Sequence, residues 1–135
     1  AKLNSLGCTP TIAADGIASP AASWGFEVSA TSVRNQTIGL LLYGVSGRAA
    51  LPFHGGTLCL ASPYLRTPAL SSGGNSLPSA DCSGAWSVDL DLILWSRPPL
   101  AAGSALQCQW YGRDPGFPPP DNISLSNALE LTLTL

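Results

Sequence analysis

Apolar and polar residues alternate along this chain in short, strand-sized runs. In SWGFEVSATSV, Trp24, Phe26, Val28 and Ala30 share one face, with Gly25, Glu27 and Ser29 on the other. A period of two is the mark of a half-buried strand. IGLLLYGV is apolar on both faces, as a central strand between two layers would be. GGTLCLAS sets Leu58 and Leu60 against Cys59, so that sulfur should leave the strand toward a covering loop. WSVDLDLIL sets Trp86, Val88, Leu90 and Leu92 against Ser87, Asp89 and Asp91. ALQCQWYG sets Leu106, Cys108 and Trp110 against Gln107, Gln109 and Tyr111. ALELTLTL opposes Leu129, Leu131, Leu133 and Leu135 to Glu130, Thr132 and Thr134.

No window of about 11 residues carries a helical stripe. Roughly seven or eight short strands predict an all-β fold, a two-sheet sandwich of immunoglobulin-like or jelly-roll type. Periodicity does not choose between these topologies. The 135 residues fit one domain, divided into an N-terminal arm over residues 1–7 and a β-sandwich over residues 8–135. SSGGNSLPSADCSGA, residues 71–85, reads as a long loop pinned through Cys82, and GFPPPDN as a stiff connection into the final strand.

Composition narrows the class. Charged residues make up 10% of the chain, and Gly (14) and Pro (12) are plentiful, as in a turn-rich β protein. A net charge of -2 supplies no basic stripe, which argues against nucleic acid as partner. No apolar run approaches the roughly 18 residues of a membrane helix. A start at Ala1 is what signal-peptide removal leaves, and two sequons, Asn35-Gln36-Thr37 and Asn122-Ile123-Ser124, fit an extracellular glycoprotein. Cys8, Cys59, Cys82 and Cys108 lack the paired spacing of a zinc site and predict two disulfides, Cys59 with Cys82 and Cys8 with Cys108. No metal or other cofactor is expected.

Catalytic constellations are incomplete. YGVSGR approaches a nucleophile elbow, but Arg48 occupies the second Gly position and no helix follows, so Ser46 reads as a turn serine. His54 is the sole histidine and sits beside two glycines, the setting of a loop residue rather than a base. Asp89 and Asp91 share one strand face and could hold a calcium ion or act as an acid/base pair, but a solvated face opposite the core is the favoured reading. Tyr64, Trp95 and Tyr111 could stack on sugar rings. In QCQWYGRDPG, Trp110 should be core, Gly112 should end the strand, and Arg113 and Asp114 should fasten the corner to neighbouring loops.

GLLLYGVSGR, GGTLCLASPYLRTP, CQWYGRDPGF and ISLSNALELTL, in this order, resemble a family of secreted bacterial surface β-sandwich domains without an assigned activity. That resemblance covers the chain from Cys8 onward, implies an extracellular β-sandwich, and supplies no catalytic residue. The chain also resembles jelly-roll-like subunits of extracellular fibrils from environmental microbes, which join by strand exchange. The resulting expectation is a non-enzymatic, self-assembling filament subunit, built through Leu3 and Leu6 of the arm and the leucines of the last strand. That strand carries no Lys or Pro gatekeeper against edge pairing. In the alternative, the arm folds back on its own domain, stapled by Cys8. A glycan-binding or adhesive module is the second functional reading.

Overall fold

The computed structural model describes residues 2–16, 26–90 and 103–132. All regular structure in these residues is β: β1 (Thr11–Asp15), β2 (Glu27–Val33), β3 (Ile38–Gly44), β4 (Arg48–Phe53), β5 (Gly56–Leu60), β6 (Leu65–Arg66), β7 (Leu70–Ser71), β8 (Gly84–Asp89), β9 (Ala105–Arg113) and β10 (Ile123–Thr132). They form a three-stranded sheet, β1-β2-β8, and a five-stranded sheet, β10-β9-β3-β6 with β7 also paired to β3. A two-stranded hairpin, β4-β5, completes the set.

Alternation along each strand decides which layer its side chains enter. Phe26, Val28, Ala30 and Val33 from the β2 region meet Leu41 and Tyr43 of β3, Trp86 of β8, and Leu106, Cys108 and Trp110 of β9 in one core between the two larger sheets. Nine of these ten side chains are 0 or 1% exposed, as expected of a close-packed interior. The opposite face of β3 gives Leu42, which joins Leu58, Leu60, Leu40, Phe53, Tyr64 and Tyr111 in a second cluster beneath the hairpin. β3 is thus apolar on both sides because it lies between two layers. Trp24 and Leu92, assigned to strand faces above, lie outside the described residues.

The polar face of β9 is sewn to the hairpin rather than left in water. Gln109, 0% exposed, donates from Nε2 to the carbonyls of Thr57 and Ser126 and accepts at Oε1 from the Cys59 amide. A buried amide with these partners avoids the penalty of an unpaired polar group. The hairpin turns on His54 and Gly55, whose φ values of 48° and 83° are both positive. Two left-handed residues are what a tight two-residue hairpin turn demands, so the lone histidine is a turn residue.

The expected disulfides are corrected. Cys8 is joined to Cys82, with Cα atoms 6.6 Å apart, while Cys59 and Cys108 are free. Cys108 points into the core between the sheets and cannot reach a loop, and Cys59 lies on the hairpin with its Sγ near the Thr57 carbonyl. The loop ahead of β8 is indeed pinned through Cys82, but to the N-terminal arm.

Candidate functional site

The N-terminal segment lies on its own domain, and polar residues hold it there. Lys2 Nζ donates to the carbonyls of His54, Asp121 and Ile123 at 2.6, 2.6 and 2.7 Å, and sits 4.9 Å from the centre of the Phe117 ring. Asn4 caps a small loop by accepting from the amides of Leu6 and Cys8. Ser5 donates both its amide and its hydroxyl to Asp114, whose carboxylate is 0% exposed and has Arg34 Nη1 at 3.9 Å. A Cβ on Gly116 would overlap Ser5. The Asp-Pro-Gly corner after β9 is therefore the seat of the arm. Leu3 and Leu6, expected to be covered by a neighbouring copy on assembly, are 59% and 36% exposed in the single chain.

β10 closes one end of the five-stranded sheet. Its first half is shielded: the Lys2 amide donates to the Leu125 carbonyl, and Asn127 Oδ1 accepts from the Ile12 amide beside the register shift between Leu125 and Ala128. From Ala128 to Thr132, β9 is its one paired strand among the described residues. Leu129 and Leu131 turn inward and pack against the main core, while Glu130 faces the hairpin side and is bound by Arg48 and Gln107. Leu133 and Leu135 lie outside the described residues.

The hairpin covers only part of the outer face of the five-stranded sheet. Where it stops, Ile38, Gly39, Leu40, Arg66, Ala69, Tyr111, Gly112 and Arg113 line a depression of about 250 Å³. Its position follows from register: Leu40 pairs with Tyr111 and Leu42 with Arg66, so one strand face carries the apolar, aromatic and guanidinium groups together. Tyr111 is half-buried, tilted against Phe53 at 5.9 Å between ring centres. Tyr64 lies in the same apolar cluster and not at this depression. Trp95, the third aromatic expected to meet sugars, lies outside the described residues. Neither arginine was singled out for binding by the sequence reading. Strand alternation placed Tyr111 on the face away from the core, and Arg113, two residues on, shares it.

The two sequons differ. Asn35 is 1% exposed; its Nδ2 donates to the carbonyls of Asn75 and Ser79, and its Oδ1 accepts from the Asp81 amide. Both carbonyl contacts of that nitrogen are made within the fold. Asn122 is half-buried beside exposed Pro118, Pro119 and Pro120. Among the possible reactive groups, His54 Nδ1 bonds the Pro120 carbonyl and Ser46 Oγ donates to the Pro63 carbonyl. Asp89 ends β8, and its expected partner Asp91 lies outside the described residues. Among the described residues, no three His, Cys, Asp or Glu side chains gather as metal ligands, and no helix is long and apolar enough to cross a membrane.

No protein-family model, curated protein or solved structure matches the chain.

Proposed function

We propose that this protein is an extracellular structural subunit that assembles into filaments, its packed sheets forming a sandwich of jelly-roll or immunoglobulin-like type. The observation that carries this reading is the outer edge of β10 from Ala128 to Thr132, which has no strand beside it among the described residues. Unpaired backbone donors and acceptors on a flat edge are a template for a strand from another copy, and a head-to-tail contact of that kind propagates. The resemblance to secreted surface domains and fibril subunits supports the same reading. A disulfide between Cys8 and Cys82 supports a compartment outside the reducing cytosol.

Arm exchange is the narrower route. Cys8 is tied to Cys82, so within the given sequence the seven residues ahead of it can swing out, reaching at most about 25 Å. Exchange would repeat in a neighbour the same carbonyl cage that Lys2 already occupies at home. Sedimentation and electron micrographs of the full chain should show elongated polymers, and Thr132→Lys, which sets a charge on the edge, should leave folded monomers. A full chain that stays monomeric at high concentration overturns the proposal.

A second reading, a glycan-binding surface module, is supported by the depression beside Tyr111.

A further inference from the structure

The chain has six Lys and Arg residues, and their partners sort them. Lys2 is held by three carbonyls, Arg34 by Ser5 and Asp114, and Arg48 by Glu130. Arg97 lies outside the described residues. Arg66 and Arg113 have no ion pair or side-chain hydrogen bond among the described residues, and both line the depression at the uncovered end of the five-stranded sheet. No Asp or Glu lines it with them. On a chain of net charge -2, two uncompensated guanidinium groups at one hollow make a local positive site.

The rest of the lining is not what a bare anion needs. Tyr111, Leu40 and a 51% exposed Ile38 offer apolar surface, and Gly39 and Gly112 leave part of the lining as bare backbone. An aromatic face with aliphatic neighbours suits a ring that is apolar on one side and hydroxylated at its rim. Guanidinium forks suit a planar or tetrahedral oxyanion, which they bind through paired N–H donors. We propose that this depression binds an anionic saccharide, a sugar ring carrying a carboxylate or a sulfate, with Tyr111 and Ile38 against the ring and Arg66 and Arg113 on the acid group. An extended acidic peptide fits less well, because β6 and β7 already occupy the β3 edge that it would need for strand addition. This assignment rests on the glycan-binding reading and adds the charge of the ligand to it.

The test is titration of the folded full chain, followed by amide chemical shifts and calorimetry, with tetragalacturonate, a heparin-type sulfated tetrasaccharide, a neutral galactose tetramer and an oligoglutamate. Arg66→Gln and Arg113→Gln remove exposed groups without partners, so thermal unfolding should match the parent. Either acidic sugar should bind with shifts at Tyr111 and Arg113, weaken with salt, and lose about tenfold in affinity with each substitution. Preference between the uronate and the sulfate names the acid group. Equal binding of the neutral tetramer overturns the anionic assignment while leaving a glycan module standing. Binding of no sugar overturns both. Binding of oligoglutamate as tight as that of the acidic sugars, at the same residues, overturns the saccharide assignment in favour of a protein partner, and so does acidic-sugar binding indifferent to both substitutions.

Discussion

Gly39 stands opposite Gly112 across β3 and β9, and the Trp86 indole lies against both backbones in the place their side chains would take. Trp86 also stacks on Trp110, with ring centres 5.7 Å apart and planes 24° from parallel. Both tryptophans are fully buried. The paired glycines bring the sheet close enough for a flat indole to bridge the two larger sheets.

Adding one methyl group there should overpack the core. A Cβ at Gly112 would meet Trp86 carbons at 2.5 and 2.6 Å, well inside contact distance, so the indole or the strands must move. Gly112→Ala and Gly39→Ala should each cost about 1–3 kcal/mol, read by denaturant unfolding. Near-ultraviolet circular dichroism should show the Trp86–Trp110 signal altered. Unchanged stability together with an unchanged aromatic signal would refute the packing account.

The arm gives an independent prediction. Asp114→Asn keeps the shape of the side chain but removes the charge that faces Ser5 and Arg34. A buried donor that loses its acceptor, as one of the two Ser5 donors would, costs about 1–3 kcal/mol. Gly116→Ala attacks the same seat sterically. In both variants, limited proteolysis should release the segment before Cys8 sooner than in the parent, while the core stays resistant. Equal protection of the arm in all three proteins would show that Asp114 and Gly116 do not hold it.

The layers were legible where a strand has one face per layer. Leu106, Cys108 and Trp110 against Gln107, Gln109 and Tyr111 could be read directly from β9, and the two-sided apolarity of β3 announced the extra layer. The arm was less legible because polar contacts distant in sequence decide its position. Nothing local to Lys2 says that three carbonyls near residues 54 and 121–123 await it. The disulfide partners were misread for a similar reason. The alternation of β9 puts Cys108 in the core and away from the loops, while the meeting of Cys8 and Cys82 depends on contacts 74 residues apart in the chain. The Arg66–Arg113 hollow depends on where the hairpin ends and on a two-residue strand, β6, too short to leave a periodic signal.

The four cysteines should separate into three behaviours. Mass mapping without reduction should find Cys8 linked to Cys82. Cys59, half-exposed, should alkylate in the native chain, whereas Cys108, whose thiol burial pushes up to about 12, should react only on unfolding. Reducing the bond reopens a span of 74 residues, which the chain-entropy account values at roughly 4 kcal/mol. A peptide joining Cys59 to Cys82, or native labelling of Cys108, would contradict the fold.

Acid should act through Glu130. Hydrogen bonds from Arg48, then from Gln107, hold its carboxyl down from 4.5 to about 2, against a small opposing effect of desolvation. Its folded value lies below its unfolded one, so its stabilising contribution is complete above about pH 4.5 and is lost as the pH falls toward 2. Asp81, lowered from 3.8 by Ser83 and then Asn75, works in the same direction in the loop ahead of β8. Both groups are at the surface, where ion pairs are screened and contribute little at neutral pH. The decisive measurement is therefore the titration itself. The Glu130 carboxyl, followed by NMR, should have its midpoint near 2 in the parent and move back toward 4.5 in Arg48→Ala. In Glu130→Gln, unfolding between pH 4.5 and 2 should depend less steeply on pH than in the parent. A parent midpoint already near 4.5 would mean that the Arg48–Glu130 contact does not persist in solution, and with it the tie between the hairpin and the edge strand β10.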